Sequence, residues 1–320
     1  MKQLPPVNNL HFPFLNILCI FLLASCTRPP SWQHDEGTAF GTLYSITYQH
    51  TDDLQQEIEL ALEQVDREFS MFNEHSTVAR INRGDSEVER SAMFQEVYHL
   101  AQAVSSDTNG AFDITIAPLV NAWGFGFKHD KLPTKQQVDS LLNIRSQMDF
   151  AAIAKGYACD VVARMLQSHD IRNYMVEIGG EVALSGTNHH GDCWHIGINK
   201  PVDDPLAQNT SLQDVLSITD IAMATSGNYR NFYYKDGIKY AHTIDPRTGY
   251  PVQHELLSAT VLANDCATAD AYATAFMVLG LDSAKTLLAR HPDLSAYLIF
   301  TDENGNHAVW HSPELTEHLR

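Results

Sequence analysis

Four stretches of this sequence combine residue types that carry chemistry. The one nearest the carboxyl end is Asp265-Cys266-Ala267-Thr268-Ala269-Asp270-Ala271-Tyr272-Ala273-Thr274. On a helix, Asp270 and Thr274 lie a turn apart and face the same way. A carboxylate, an alcohol and a backbone carbonyl make a hard-oxygen set suited to Mg²⁺. The small residues around them let another backbone come near. The same pattern also reads as an alanine-rich packing helix with an Asp at its start.

The other three stretches are equally open to a plain and a chemical reading. Ala111-Phe112-Asp113-Ile114 leads into Pro118-Leu119-Val120 and then Trp123-Gly124-Phe125-Gly126. An Asp inside an apolar run needs a partner if buried, or it caps a turn. Asp149-Phe150-Ala151-Ala152-Ile153-Ala154-Lys155-Gly156-Tyr157 puts Lys155 at a helix start. A cation is unfavourable there unless an anion answers it, so Lys155 reads either as a phosphate contact or as a solvated side chain. Glu177-Ile178-Gly179-Gly180-Glu181 is a turn or a place where a ligand meets the backbone. Thr225-Ser226-Gly227-Asn228-Tyr229-Arg230 precedes His242-Thr243-Ile244-Asp245-Pro246-Arg247-Thr248-Gly249. His242 ends a strand and enters a turn, where a histidine can act as a base near neutral pH.

A rival cluster, His189-His190-Gly191-Asp192-Cys193-Trp194-His195, holds donors for zinc or copper, or forms a solvated hairpin loop. Asn209-Thr210-Ser211 matches a glycosylation sequon, a short pattern that carries no argument by itself. No GxGxxG and no GxxxxGK[ST] occurs, which removes the Rossmann and P-loop readings.

The elements that must position these residues follow from periodicity. Residues 41–48 alternate as a strand, and Leu54, Ile58, Leu62, Val65 and Phe69 mark an amphipathic helix. Further helices are predicted over 94–104 and 154–169. Short strands are predicted over 174–178, 182–185, 194–198, 216–224, 238–244 and 256–262. Helices over 267–279 and 283–289 follow, then a closing hairpin of 294–300 with 307–310. Helices and strands mix without regular βαβ alternation, so the fold class is α+β, with mixed, mainly antiparallel sheets covered by helices.

The chain has 320 residues, 44% of them hydrophobic and 19% charged, a globular profile with ample core. With 21 Lys+Arg against 39 Asp+Glu the net charge is −18, which argues against nucleic acid as a partner. Phe14 to Ala24 is an apolar run of signal-peptide length, too short for a comfortable span. It ends in Leu23-Ala24-Ser25-Cys26, which resembles a bacterial lipobox. Residues 1–25 are therefore expected to be a lipoprotein signal, Cys26 the lipidated residue, 26–36 a linker and 37–320 one two-lobed domain. Cys159, Cys193 and Cys266 remain; three thiols cannot form a disulfide framework, and separate thiols are the plain reading.

In order and together, these pieces resemble the ApbE family of FAD:protein FMN transferases, from about Gly37 to about Gly280. The resemblance rests on Gly41-Thr42, Ser70-Met71-Phe72, Phe112-Asp113, Trp123-Gly124-Phe125-Gly126, Ala154-Lys155-Gly156-Tyr157, Gly179-Gly180, Thr225-Ser226-Gly227, the His242 to Gly249 run, and Asp270 with Thr274. It implies a T-fold-like domain with FAD in a cleft between lobes. It also implies Mg²⁺-dependent transfer of FMN to a Thr or Ser hydroxyl of a target flavoprotein, with AMP released. Carried over residue by residue, Phe40, Phe72, Ala111, Phe112, Asp113, Asp149, Lys155 and Ile244 would contact FAD. Asp270 and Thr274 would hold the metal, with backbone oxygens of Ala152 and Ala273 nearby. The position of Phe40 is often Met in the family, and that of Ala273 is Asp in some members. His242 is the candidate base and Asp245 its candidate orienter.

The resemblance further implies acceptors among subunits of membrane redox complexes. It places the chain at the periplasmic face, held by the lipid at Cys26, at the inner membrane rather than the outer. An FAD pyrophosphatase, in which water replaces the acceptor hydroxyl, and a non-catalytic FAD-binding lipoprotein are the alternative readings.

Overall fold

The computed structural model describes Met1 and residues 31–126, 131–144, 146–203 and 211–320. Cys26, the apolar stretch before it, and Asn209 and Thr210 of the sequon lie outside the described residues. Among the described residues, no helix is long and apolar enough to cross a membrane.

The fold is α+β, built on an eight-stranded sheet in which every pairing is antiparallel. Its strands are β1 (Ser31–Ala39), β2 (Thr42–His50), β3 (Tyr174–Ile178), β4 (Glu181–Ser185), β7 (Ala222–Gly227), β10 (Leu256–Ala263), β11 (Ser295–Thr301) and β12 (His307–His311), in that spatial order. Between β4 and β7 the chain leaves the sheet to form the two-stranded pair β5 (Trp194–Asn199) and β6 (Leu212–Ile218). A second small pair, β8 (Phe232–Lys235) and β9 (Ile238–Ala241), rises beyond β7.

One face of the large sheet carries the main core. Ile46, Tyr48, Val176, Ile178, Ala224, Ala259 and Val261 meet α1 (Gln55–Phe69), α3 (Ala92–Asp107), α6 (Ala154–Ser168) and α7 (Cys266–Leu279) there. The other face packs Val182, Leu184, Met223 and Leu262 against Trp194, Ile196, Ile198 and Leu216 of the β5–β6 pair. The short helices α2 (Thr77–Asn82), α4 (Ala117–Ala122) and α5 (Lys135–Leu141) and the later α8 (Leu281–Leu288) complete the set. Leu119 of α4, Val138 of α5, Trp123 and Ile244 form a satellite core.

Three differences from the sequence reading stand out. Residues 31–36 are not linker: they open β1, which pairs with β2 along its whole length, and buried Asp35 accepts a 2.7 Å hydrogen bond from Tyr48. The single strand expected over 216–224 is two strands, because the chain turns at Asp220, whose φ is 51°. The strand expected over 238–244 ends at Ala241.

Candidate functional site

A cleft of about 620 Å³ opens where the starts of α6 and α7 meet the ends of β3, β4 and β7. Gly156 sits where the two helices touch. A Cβ there would lie 2.3 Å from the Cys266 carbonyl oxygen and 2.8 Å from Asp270 Cβ, so only glycine permits the approach.

At that crossing the two helices cap each other. Each helix start leaves N–H groups without intrahelical partners. Gly156, in the first turn of α6, donates its N–H to Asp270 Oδ2 of α7 at 3.1 Å. In return Asp160 of α6 accepts from the backbone N–H groups of Cys266 and Ala267 at 2.7 and 2.9 Å. Burial pushes the Asp160 carboxyl up to about 7 despite those two donors. Asp265 closes the same turn by accepting from Thr268 N at 2.8 Å.

The cation at the start of α6 is answered by acids from two other elements. Lys155 Nζ lies 2.7 Å from Glu181 Oε1 on β4 and 3.9 Å from Asp270 Oδ2. Burial opposes the Lys155 charge, but the Asp270 and Glu181 carboxylates outweigh it and hold the ammonium above its usual range. Burial, countered by Lys155 and reinforced by Asp270, pushes Glu181 up to about 7. Burial likewise raises Asp270 against the pull of Lys155 and the Gly156 N–H. The second Glu181 oxygen, Oε2, is buried without a hydrogen-bond partner.

Thr274 lies one turn beyond Asp270 on the same side, and its hydroxyl is 3.1 Å from the hydroxyl of Ser226 on β7. The donors gathered here are carboxylate and alcohol oxygens, which fits a hard divalent ion such as Mg²⁺ and not a thiolate- or imidazole-seeking metal. Glu181, whose second oxygen is buried without a hydrogen-bond partner, lines the same cleft. Among the described residues no three His, Cys, Asp or Glu side chains are grouped for a metal, so the His189 to His195 stretch forms no such centre. Cys159, Cys193 and Cys266 are all free.

The structure brings most of the candidate residues to this cleft. Phe72, Ala111, Phe112, Asp113, Asp149, Ala152, Lys155, His242, Ile244, Asp270 and Thr274 all line it. Asp113 shapes its loop by accepting from the N–H and hydroxyl of Thr115, both at 2.7 Å. Asp149 accepts from Ala151 N at 2.8 Å, and burial raises its carboxyl above the usual range.

Three residues fall elsewhere. Phe40 occupies the β1–β2 turn with φ 53° and lines a separate cavity with Gly37, Tyr44 and Glu59. Ala273 is fully buried within α7, away from the cleft lining. Asp245 does not orient His242. Its carboxylate is taken by Arg247, through Nε at 2.8 Å and Nη2 at 2.9 Å, because the turn at Pro246 folds Arg247 back onto it.

His242 is oriented by a backbone carbonyl instead. Its Nδ1 lies 3.2 Å from the oxygen of Asn231, which can only accept, so Nδ1 carries the proton and Nε2 the lone pair. Burial, opposed by the Asn231 hydrogen bond and aided by Lys155, lowers this imidazole below its ordinary 6.5, which favours the neutral form.

Glu181 and Ser226 lie inside stretches quoted from the sequence without a role of their own, and Asp160 lies outside them. A Glu directly after Gly179-Gly180 was the available signal for the first.

The model of the ApbE family matches residues 40–298. This chain belongs to the ApbE family. The FAD:protein FMN transferase of Vibrio cholerae is 38% identical over 82% of this chain and 85% of its own length. That of Haemophilus influenzae is 34% identical over 88% and 90%. In structure, the flavin transferase ApbE from Vibrio cholerae superposes with a TM-score of 0.80 at 34% identity, covering 91% of this chain and all (100%) of that one. The apo flavinyl transferase ApbE of Pseudomonas stutzeri gives 0.78 at 27% identity, covering 90% and 97%. The ApbE match includes every cleft residue described above, since all lie between Phe40 and Leu298.

Proposed function

We propose that this chain is an FAD:protein FMN transferase that moves FMN from FAD to a Thr or Ser hydroxyl of a target flavoprotein, with Mg²⁺ and with release of AMP. The observation that carries this reading is the convergence, in one cleft, of Asp270 and Thr274, the paired Lys155, and a neutral His242 with a free Nε2.

Asp270 and Thr274 would hold the Mg²⁺, which when bound neutralises charge on the diphosphate. The acceptor oxygen attacks the phosphorus on the FMN side. The bond from that phosphorus to the bridging oxygen breaks, and AMP leaves with the electron pair. His242 Nε2 takes the hydroxyl proton. Lys155, held by Glu181, sets a positive charge at the mouth of α6 where the diphosphate would lie. Such a transfer needs alignment and charge neutralisation more than covalent help, which suits a site of fixed oxygens and one half-buried ammonium.

The lipobox-like Leu23-Ala24-Ser25-Cys26 supports anchoring by lipid at Cys26 on the periplasmic face of the bacterial inner membrane, beside redox-complex subunits that would be the acceptors. Mass spectrometry of envelope proteins from cells with and without this chain tests the activity. Transfer requires an FMN adduct that disappears with the chain. An unchanged set of flavinylated proteins contradicts it.

A further inference from the structure

The far wall of the cleft is the edge of a strand. His195, Ile196, Gly197 and Asn199 of β5 line the same cavity as Asp270 and His242. Strand β5 pairs with β6 on one side, and no described strand pairs with it on the other.

The register fixes which backbone groups point to that open side. In an antiparallel pair, opposed residues alternate between exchanging hydrogen bonds and pointing away from each other. His195 opposes Ser217, and Gly197 opposes Val215. Ser217 gives its N–H to the carbonyl of His318 at 2.8 Å, and the Val215 carbonyl accepts from Arg320 N at 3.1 Å. Both β6 residues therefore turn their backbone groups away from β5. Their partners His195 and Gly197 must do the same and point theirs away from β6, toward the cleft. Among the described residues those groups have no partner.

Exposed strand edges are normally blunted by charge, proline or cover. Edge strand β1 carries Asp35 and Glu36, and β8 ends in Lys235. Strand β5, Trp-His-Ile-Gly-Ile-Asn, carries no Lys, Arg, Asp, Glu or Pro. The Leu212 side chain covers the face of Gly197, where a Cβ would meet it at 2.7 Å, so what Gly197 offers a partner is its backbone edge. An unprotected edge that opens onto a reaction cleft is a place for an extended chain to pair.

We propose that β5 receives the acceptor polypeptide as an added strand. The backbone of the segment bearing the acceptor hydroxyl hydrogen-bonds to His195 and Gly197, two residues apart as the strand period requires. The occupant is an extended protein segment, recognised mainly by its main chain. This rests on the transferase reading above, since only a transferase needs a polypeptide in this cleft.

The test uses the full chain with FAD, Mg²⁺ and a synthetic peptide spanning the flavinylated residue found in the envelope comparison. Amide hydrogen exchange is followed at His195 and Gly197, and flavin transfer to the peptide is followed by mass. Protection of both amides by tenfold or more on peptide addition is expected. Transfer without protection overturns the docking site. Protection without transfer upholds the docking site and contradicts the transferase reading instead. His195→Pro gives a second readout. Proline is tolerated where a strand N–H faces outward, so this variant should fold and should raise the peptide KM tenfold or more with kcat retained. An unchanged KM overturns the proposal, as does a loss confined to FAD affinity.

Discussion

Lys155 Nζ is bound by Glu181 Oε1 at 2.7 Å and kept 3.9 Å from Asp270 Oδ2. Glu181 thus holds the ammonium at a distance at which Asp270 remains open to another cation. Without that tether, Lys155 would close on Asp270 and compete with the metal. Glu181→Gln is therefore expected to raise the Mg²⁺ concentration for half-maximal turnover by about tenfold, or ~1.4 kcal/mol. A Mg²⁺ titration of FAD consumption checks this, and an unshifted midpoint contradicts the tether.

Gly156→Ala tests the helix crossing. Alanine favours an exposed helix over glycine, yet here its Cβ would meet the Cys266 carbonyl oxygen at 2.3 Å. The α6–α7 contact must open, at a cost of about 1–3 kcal/mol. Denaturant unfolding should show the loss, and FAD turnover should fall with it because Asp270 lies on the same contact. A stabilised variant would contradict the packing argument.

Asp160→Ala removes the acceptor for two backbone donors at the start of α7. Leaving them unsatisfied should cost about 1–3 kcal/mol. The cleft is affected only through α7, so a fall in Tm with a weakened Mg²⁺ response is the expected pair of results.

His242 sets the pH dependence. As a base it works when neutral, and its folded pKa is shifted downward by burial from 6.5. At saturating Mg²⁺, the acid limb that His242 contributes should therefore have its midpoint below 6.5, whereas protonation of Glu181 near 7 should show as a weaker Mg²⁺ response. His242→Ala should lower the transfer rate by about 10²–10⁴-fold and abolish this acid limb. Full transfer with weakened FAD binding would instead make His242 a binding residue.

Much of the scaffold was legible because its periodicities are strong. The β3 limits coincide with the alternating run Tyr174 to Ile178, and α7 with its unbroken small and apolar sequence. Strand β1 was hidden because Ser31–Ala39 is polar along most of its length and gains its place from β2 and the Asp35–Tyr48 bond. The Asp220 turn was hidden because apolar residues continue on both sides of it. In the site, Asp270 and Thr274 were readable from helical spacing. The nearness of His242 and Asp245 in sequence suggested a pair, but a tight turn gave Asp245 to Arg247. The reciprocal caps of Asp160 and Asp270 join helices more than 100 positions apart, which no local pattern can reveal.

In the transfer proposed above, oxygens on α7 drive FMN onto a protein hydroxyl. Its most direct test is the intact mass of a purified acceptor after incubation with FAD, Mg²⁺ and either the native chain or Asp270→Asn. The native chain should add one FMN to the acceptor and release an equal amount of AMP, and the variant should be slower by about a hundredfold or more. Free FMN and AMP beside an unmodified acceptor, or full labelling by the variant, would contradict it.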